Sequence, residues 1–236
     1  MHQINDFHMG LFSLEGKNAV VTGGNSGLGQ AFSLALAKGG ANVLAASIVD
    51  DDGETKELIE GCGKEYRFVK ADITADGECK RVVDECVNTW GSIDILVNCA
   101  GLSINIEDVT QYTREPWDKM VAVNLTAAFE MTHEALKYMI PQNSGKIINI
   151  SSMWGTAGAS CEAAYSAAKS GLHGLTRALA KELAPSNIQV NALACGVIDT
   201  EMNARLSTEE RSALEEEIPA GRYGTPEEAA RAVLML

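Results

Sequence analysis

A run of small and β-branched residues, Ala19-Val20-Val21-Thr22, passes through Gly23, Gly24, Gly27 and Gly29 straight into an apolar pattern of helical period. That feature constrains the fold strongly, because a buried strand must turn within a few residues into a helix packed against it. Leu28, Phe32, Leu34, Ala35 and Leu36 are expected on the inward face of that helix. Glycines at such a turn let backbone N–H groups approach a pyrophosphate, and the helix N-terminus adds a partial positive charge for it. In this reading Gly23 serves the tight turn, Gly27 the close approach and Gly29 the packing of helix on strand. A glycine-rich loop also occurs as a plain turn, so the rest of the chain must decide.

The alternation continues downstream. Residues 42–46, 66–70, 93–98, 146–150 and 189–193 read as further strands, and residues 54–61, 76–90, 115–139 and 163–183 as helices, two of them stopped near Pro141 and Pro185. Cys79, Val82, Val83, Cys86 and Val87 share one face of the helix over 76–90. Strands alternating with helices, without a break in composition, predict an α/β fold: a doubly wound parallel β-sheet in a Rossmann-type three-layer sandwich, one domain over residues 1–236. Right-handed crossovers then bring the loops near residues 23–29, 47–50, 72–74, 98–104, 151–155 and 195–201 to one edge, where function is to be sought.

Charge narrows the partners. A net charge of -13 over 236 residues opposes binding to nucleic-acid backbones. No run approaches the ~20 apolar residues of a membrane span, and no export signal is legible, so a cytoplasmic protein is expected. The six cysteines are scattered without a CxxC pair and read as reduced thiols, and the four histidines show no metal-ligand spacing. Asp50, Asp51 and Asp52 lie where a ribose-binding carboxylate often falls, and equally suit a solvated turn beside Gly53.

Tyr165 and Lys169, four residues apart on the predicted helix, share one face, and Ser152 precedes Tyr165 by thirteen residues at the exit of a strand. A phenol titrates near 10, and a neighbouring ammonium favours its phenolate. Such a phenol can exchange a proton with an oxygen during hydride transfer, while a serine hydroxyl holds the same oxygen in line. A packed tyrosine and a solvated lysine would give the same spacing. Beside the glycine loop, that bland account loses force.

With these residues in hand, the chain resembles a classical short-chain dehydrogenase/reductase along essentially its whole length. Residues 22–29 match that family's cofactor loop, Asn98-Cys99-Ala100-Gly101 its Asn-Asn-Ala-Gly segment with one change, and Tyr165 through Lys169 its YxxxK motif. The resemblance implies Tyr165 as general acid/base, Ser152 rather than Ser151 as the group polarising the carbonyl, Lys169 lowering the phenol pKa and holding the nicotinamide ribose, and Asn124 in a proton relay. It implies cofactor contacts from Gly23, Asn25, Ser26, Gly27, Leu28, Gly29, Ser47, Ile48, Asp72, Ile73, Asn98, Ala100, Gly101, Tyr165, Lys169, Val197, Ile198 and Thr200. Cys195-Gly196 replaces the family's usual Pro-Gly, which removes a fixed φ. The family continues past a helix like 226–236 into another strand, so the last strand is expected to be missing.

Asn25, Ser26, Ser47 and Ile48 supply no cation for a 2′-phosphate, and Asp50 to Asp52 lie close by, so NAD(H) is expected over NADP(H). The segments 12–17, 47–49 and 218–224 resemble the branch of gluconate 5-dehydrogenase and 2-dehydro-3-deoxygluconate 5-dehydrogenase, which implies a sugar acid or related polyol as substrate. That branch tends to carry arginines where this chain has residues 102–106, which leaves a 3-oxoacyl thioester, a hydroxysteroid or, outside catalysis, nucleotide sensing as alternatives. The family's habit implies a homotetramer joined through helices 115–139 and 163–183.

Overall fold

In the computed structural model, which describes residues 9–104, 108–200 and 206–236, strands β1 (Asn18–Thr22), β2 (Asn42–Ser47), β3 (Tyr66–Lys70), β4 (Ile95–Asn98), β5 (Gly145–Ser152) and β6 (Ile188–Cys195) form one sheet. Their order is β3-β2-β1-β4-β5-β6, and every pairing is parallel. The order reverses between β1 and β4, which opens a crevice at the strands' C-terminal ends.

Helices α1 (Gly27–Gly39), α2 (Glu54–Glu60) and α9 (Pro226–Met235) pack on one face of the sheet, and α3 (Glu78–Trp90), α5 (Ala127–Gln142) and α7 (Ala163–Leu183) on the other. Successive strand residues feed opposite cores: Val20, Leu44, Leu96 and Ile147 face α3 and α5, whereas Ala19, Val21, Val43, Ile95 and Val97 face α1 and α9. Burial on both faces explains why these strands read as continuous apolar runs. Each fully buried Leu or Ile among them contributes about 1.5–3 kcal/mol. Helices α4 (Arg114–Val121), α6 (Trp154–Ala157) and α8 (Thr208–Glu217) complete the order, and reciprocal capping boxes start α8 at Ser207–Glu210 and α9 at Thr225–Glu228.

Three expectations are corrected. On α1 the buried stripe is Phe32, Ser33, Leu36 and Ala37, one step away from Leu34, which lies on the flank. The helix expected over 115–139 is α4, a π-helical turn (Ala122–Thr126) and α5, and it runs on to Gln142 through Pro141. Proline is tolerated there because it forfeits only one backbone bond in the last turn, and Asn143, in the left-handed region at φ 50°, makes the stop. Strands β5 and β6 extend to Ser152 and Cys195, whose Cα atoms are partners in the ladder. Among the described residues no helix is long and apolar enough to cross a membrane.

Candidate active site

The first loop of the crevice follows β1. Gly23 takes φ +67°, and its N–H donates to the Ala46 carbonyl at 2.6 Å. A Cβ on Gly29 would stand 1.9 Å from the Gly23 oxygen, so helix and loop meet at a distance only glycine allows. Ser33 Oγ donates to the Gly24 carbonyl at 2.8 Å and closes the turn. At the tip, Ser26 and Gly27 are exposed, and a Cβ on Gly27 would meet nothing within 4 Å. The N–H end of α1 therefore opens on free space.

Asn25 is buried, and its Nδ2 reaches the Val49 and Asp50 carbonyls at 3.4 and 3.3 Å while its Oδ1 has no partner. An unpaired buried acceptor beside an open helix N-terminus and a glycine cradle fits a dinucleotide whose hydroxyls donate and whose phosphates accept. Ser47 Oγ accepts from Val49 N, and Ile48 stands 64% exposed beyond it. The register sets Lys70 beside Ser47, a cation the sequence alone did not bring there. Its Nζ is paired with Asp50 at 2.7 Å. Of the acidic run, Asp52 caps the start of α2 by accepting from Glu54 N, so this run divides its work.

Asp72 lies just beyond β3 and accepts from Thr74 N and Oγ1 at 3.0 and 2.6 Å, which holds its carboxyl below the usual range. Ile73 lines a hollow of about 260 Å³ between the start of α3 and α5. That hollow is larger than the catalytic cavity and holds none of Ser152, Tyr165 and Lys169. Cys99 N and Ala100 N both donate to Thr22 Oγ1 at 3.0 Å, which ties this loop to the first. Asn98 departs from expectation: its amide points under α5, donating to Asn149 Oδ1 at 2.9 Å and Thr132 Oγ1 at 3.2 Å, so its side chain holds strands and helix together.

The catalytic candidates converge on a cavity of about 110 Å³, whose lining includes Leu28, Leu102, Asn124, Ser152, Tyr165 and Lys169. Ser151 turns back to donate to the Lys169 carbonyl, while Ser152 lines the cavity with Tyr165 and accepts from Trp154 N. Alternation along β5 thus separates the two serines physically. Lys169 Nζ donates to the Ile150 carbonyl at 2.9 Å and lies 5.5 Å from the Tyr165 ring centre. Burial depresses the lysine to about 8. Burial also pushes Tyr165 up to about 12, with Ser152 acting in the opposite direction. The lysine was expected to lower the phenol; here burial raises it, and the Glu162 charge acts in the same direction.

Asn124 sits in the π-helical turn, a distortion frequent at functional sites. Its Nδ2 donates to the Leu102 and Met120 carbonyls at 2.8 and 3.1 Å, and its Oδ1 accepts from Leu102 N. The side chain clamps the loop after β4. Val197, Ile198 and Gly224 are joined by a short parallel bridge that carries Thr200 to the cavity wall. Burial raises Cys99 to about 12 and raises Cys195, so neither cavity thiol is a ready nucleophile. The sequence reading missed Glu162, one helical turn before Tyr165, whose carboxylate accepts from Ser103 Oγ at 3.1 Å. The i, i+3 spacing to Tyr165 was the available signal. Among the described residues no group of three or more His, Cys, Asp or Glu could hold a metal.

The comparisons agree with this geometry. The family model "short chain dehydrogenase" matches residues 17–211. The chain is 47% identical to the uncharacterized oxidoreductase YgcW of Escherichia coli (strain K12), covering 100% of this chain and 91% of that one. It is 40% identical to 2-dehydro-3-deoxy-D-gluconate 5-dehydrogenase of the same organism, over 95% and 89% of the two chains. It is also 40% identical to the 3-oxoacyl-[acyl-carrier-protein] reductase FabG of Thermotoga maritima, over 94% and 91%. Among solved structures, a putative NAD(P)-dependent gluconate 5-dehydrogenase from Beutenbergia cavernae with bound NADP superposes with a TM-score of 0.89 at 36% identity, covering 95% and 90%. An NAD+-bound xylitol dehydrogenase gives 0.88 at 28% identity, covering 94% and 92%.

Proposed function

The chain belongs to the short-chain dehydrogenase family and is an oxidoreductase acting on CH–OH groups, and from that premise we propose that it interconverts a secondary alcohol and a ketone on a sugar acid or related polyol. The observation that carries the reading is the convergence of Ser152, Tyr165 and Lys169 on one cavity, with the Lys169 ammonium buried 5.5 Å from the Tyr165 ring centre. A bound nicotinamide dinucleotide supplies or accepts the hydride. Gly23, Asn25, Ser26, Gly27, Leu28 and Gly29 hold its pyrophosphate end, Ser47, Ile48, Asp72, Ala100 and Gly101 its adenosine end, and Val197, Ile198 and Thr200 the other.

In the reduction direction Tyr165, protonated at neutral pH, donates its proton to the substrate oxygen, and Ser152 hydrogen-bonds the same oxygen to hold it in line. Lys169 places a positive charge beside the developing phenolate. Asn124 acts through the Leu102 backbone that walls the cavity. NAD(H) is favoured because Lys70, the one cation set beside Ser47 by the register, is paired with Asp50. A second reading, reduction of a 3-oxoacyl thioester, draws support from the FabG relative. Turnover of sugar acids, polyols and 3-oxoacyl thioesters, followed by nicotinamide absorbance, separates the two; activity on thioesters alone would exclude the first.

A homotetramer joined through α4–α5 and α7 belongs to the same proposal. Trp117, Phe129 and Ile140 are large apolar side chains left 38–47% exposed on α4 and α5. A light-scattering mass of one chain would contradict it.

A further inference from the structure

Helix α8 carries no buried residue, and Arg211, Leu214 and Glu215, spaced to share one side of it, are only half-buried. A helix with so little buried apolar surface depends on specific contacts for its position. Arg211 supplies two of them. Its Nη2 pairs with Asp199 Oδ2 at 3.0 Å, and its guanidinium carbon lies 4.4 Å from the centre of the Tyr223 ring, which is buried. Glu215, one turn along the same helix, stands 3.7 Å from Nε.

The two groups that Arg211 grips belong to segments stitched together by backbone. Asp199 N donates to the Gly224 carbonyl at 2.9 Å, Gly224 N donates to the Val197 carbonyl at 2.9 Å, and Ile198 bridges Gly224 in parallel. Asp199 directly precedes Thr200, and Ile198 and Thr200 both line the catalytic cavity. Arg211 therefore joins α8, the segment after β6 and the loop before α9 at a point one residue from the cavity wall. The ion pair alone is weak, because its partners are 37% and 54% exposed and water and salt screen it. A planar guanidinium pairs at its edge while it stacks on its face, so one ordered side chain makes both contacts.

We propose that Arg211 is a positioning residue for the cofactor: by fastening α8 to Asp199 and Tyr223 it fixes Thr200 against the nicotinamide end of the bound dinucleotide. The inference rests on the placing of Thr200 at that end and deepens it. It is tested by calorimetric titration of the full chain with NADH and with ADP-ribose, which keeps the adenosine and pyrophosphate but has no nicotinamide. The variants are Thr200→Val, Asp199→Asn, Arg211→Lys and Arg211→Met, the last keeping an apolar stem without the charge or the plane.

The wild type should bind NADH more tightly than ADP-ribose, and Thr200→Val should narrow that preference. R211M is expected to weaken NADH binding about fivefold, the combined worth of an exposed ion pair and a cation–π contact, and to leave ADP-ribose within about twofold. R211K keeps the charge without the plane and should recover part of the loss, while D199N should lose about threefold for NADH from the other side of the pair. Unchanged NADH affinity in R211M overturns the inference, and so does an equal loss for both ligands, which would make Arg211 a general brace of the fold. Should R211M not fold, D199N decides by the same comparison. If Thr200→Val leaves the preference unmoved, the placing of Thr200 fails and this inference falls with it; if Thr200→Val narrows the preference and R211M does not, this inference alone fails.

Discussion

Lys169 Nζ donates to the Ile150 carbonyl at 2.9 Å, two residues before Ser152 on the same strand. The contact fixes the ammonium between strand and helix, 4% exposed, at the cost of desolvation that brings it to about 8. An unfolded lysine titrates near 10.5. Between those values the unfolded chain holds a proton the folded chain has lost, so this residue's contribution to stability improves as pH rises. Urea unfolding of wild type and Lys169→Met should show the difference between them moving in favour of wild type by about 2 kcal/mol from pH 8 to pH 10. Comparing the two proteins cancels Cys79 and Cys86, whose thiols are raised to about 12 and whose contributions to stability move the other way above pH 9.

Tyr165 remains protonated up to about 12. Ketone reduction should need no ionisation of the free enzyme's phenol, whereas alcohol oxidation should gain kcat/KM as pH rises from 7 to 10. Tyr165→Phe should lower kcat by about 10²–10⁴-fold in both directions and leave NADH binding, read by fluorescence, within about twofold. A mutant with full activity would remove Tyr165 from the mechanism.

Gly29→Ala would drive a Cβ to within 1.9 Å of the Gly23 carbonyl, a backbone atom that cannot step aside. The cradle must then open. Destabilisation of about 2–4 kcal/mol is expected, with NADH affinity reduced at least tenfold. A control at Gly174→Ala, inside α7 with open space around it, should raise stability by about 0.5–1 kcal/mol and spare the nucleotide.

The Lys70–Asp50 pair is mostly exposed, at 58% and 80%, and worth little to stability. Its consequence should be in cofactor choice. Asp50→Asn frees the ammonium beside Ser47 and is expected to shift the NADPH:NADH ratio of kcat/KM about threefold towards NADPH. Ser47→Arg, which adds a planar cation, should shift it about tenfold or more. A wild type that already prefers NADPH would contradict the NAD(H) proposal.

Cys161 holds φ 62°, a left-handed conformation that costs a side chain about 1–2 kcal/mol. Part of this is offset because glycine loosens the unfolded chain. Cys161→Gly should therefore raise stability by about 0.5–1 kcal/mol in urea unfolding, without changing kcat.

Much of the framework was legible because local chemistry dictates it. Burial on both faces makes parallel strands continuous apolar runs, and β1, β2 and β4 read as such. The α3 stripe of Cys79, Val82, Val83 and Cys86 is buried as its period requires. Boundaries were less legible where a local breaker was overruled: Pro141 stands inside α5 because a proline in the last turn loses only one bond. The π-helical turn around Asn124 has no sequence period of its own and went unseen.

The sequence by itself determined the glycine cradle, the alternation that forces a parallel sheet, and the spacing that puts Tyr165 and Lys169 on one helical face, because each depends on residues close along the chain. Only the tertiary structure decided which neighbour each group meets. The β2–β3 register set Lys70 beside Ser47, the β4–β5 pairing turned the Asn98 amide towards Asn149, and the packing of α7 over β5 sent Lys169 to Ile150 and Glu162 to Ser103. Burial, which no local pattern states, then raised the phenol and depressed the ammonium. Charge balance in the site is a property of what surrounds it, and that is assembled from the whole chain.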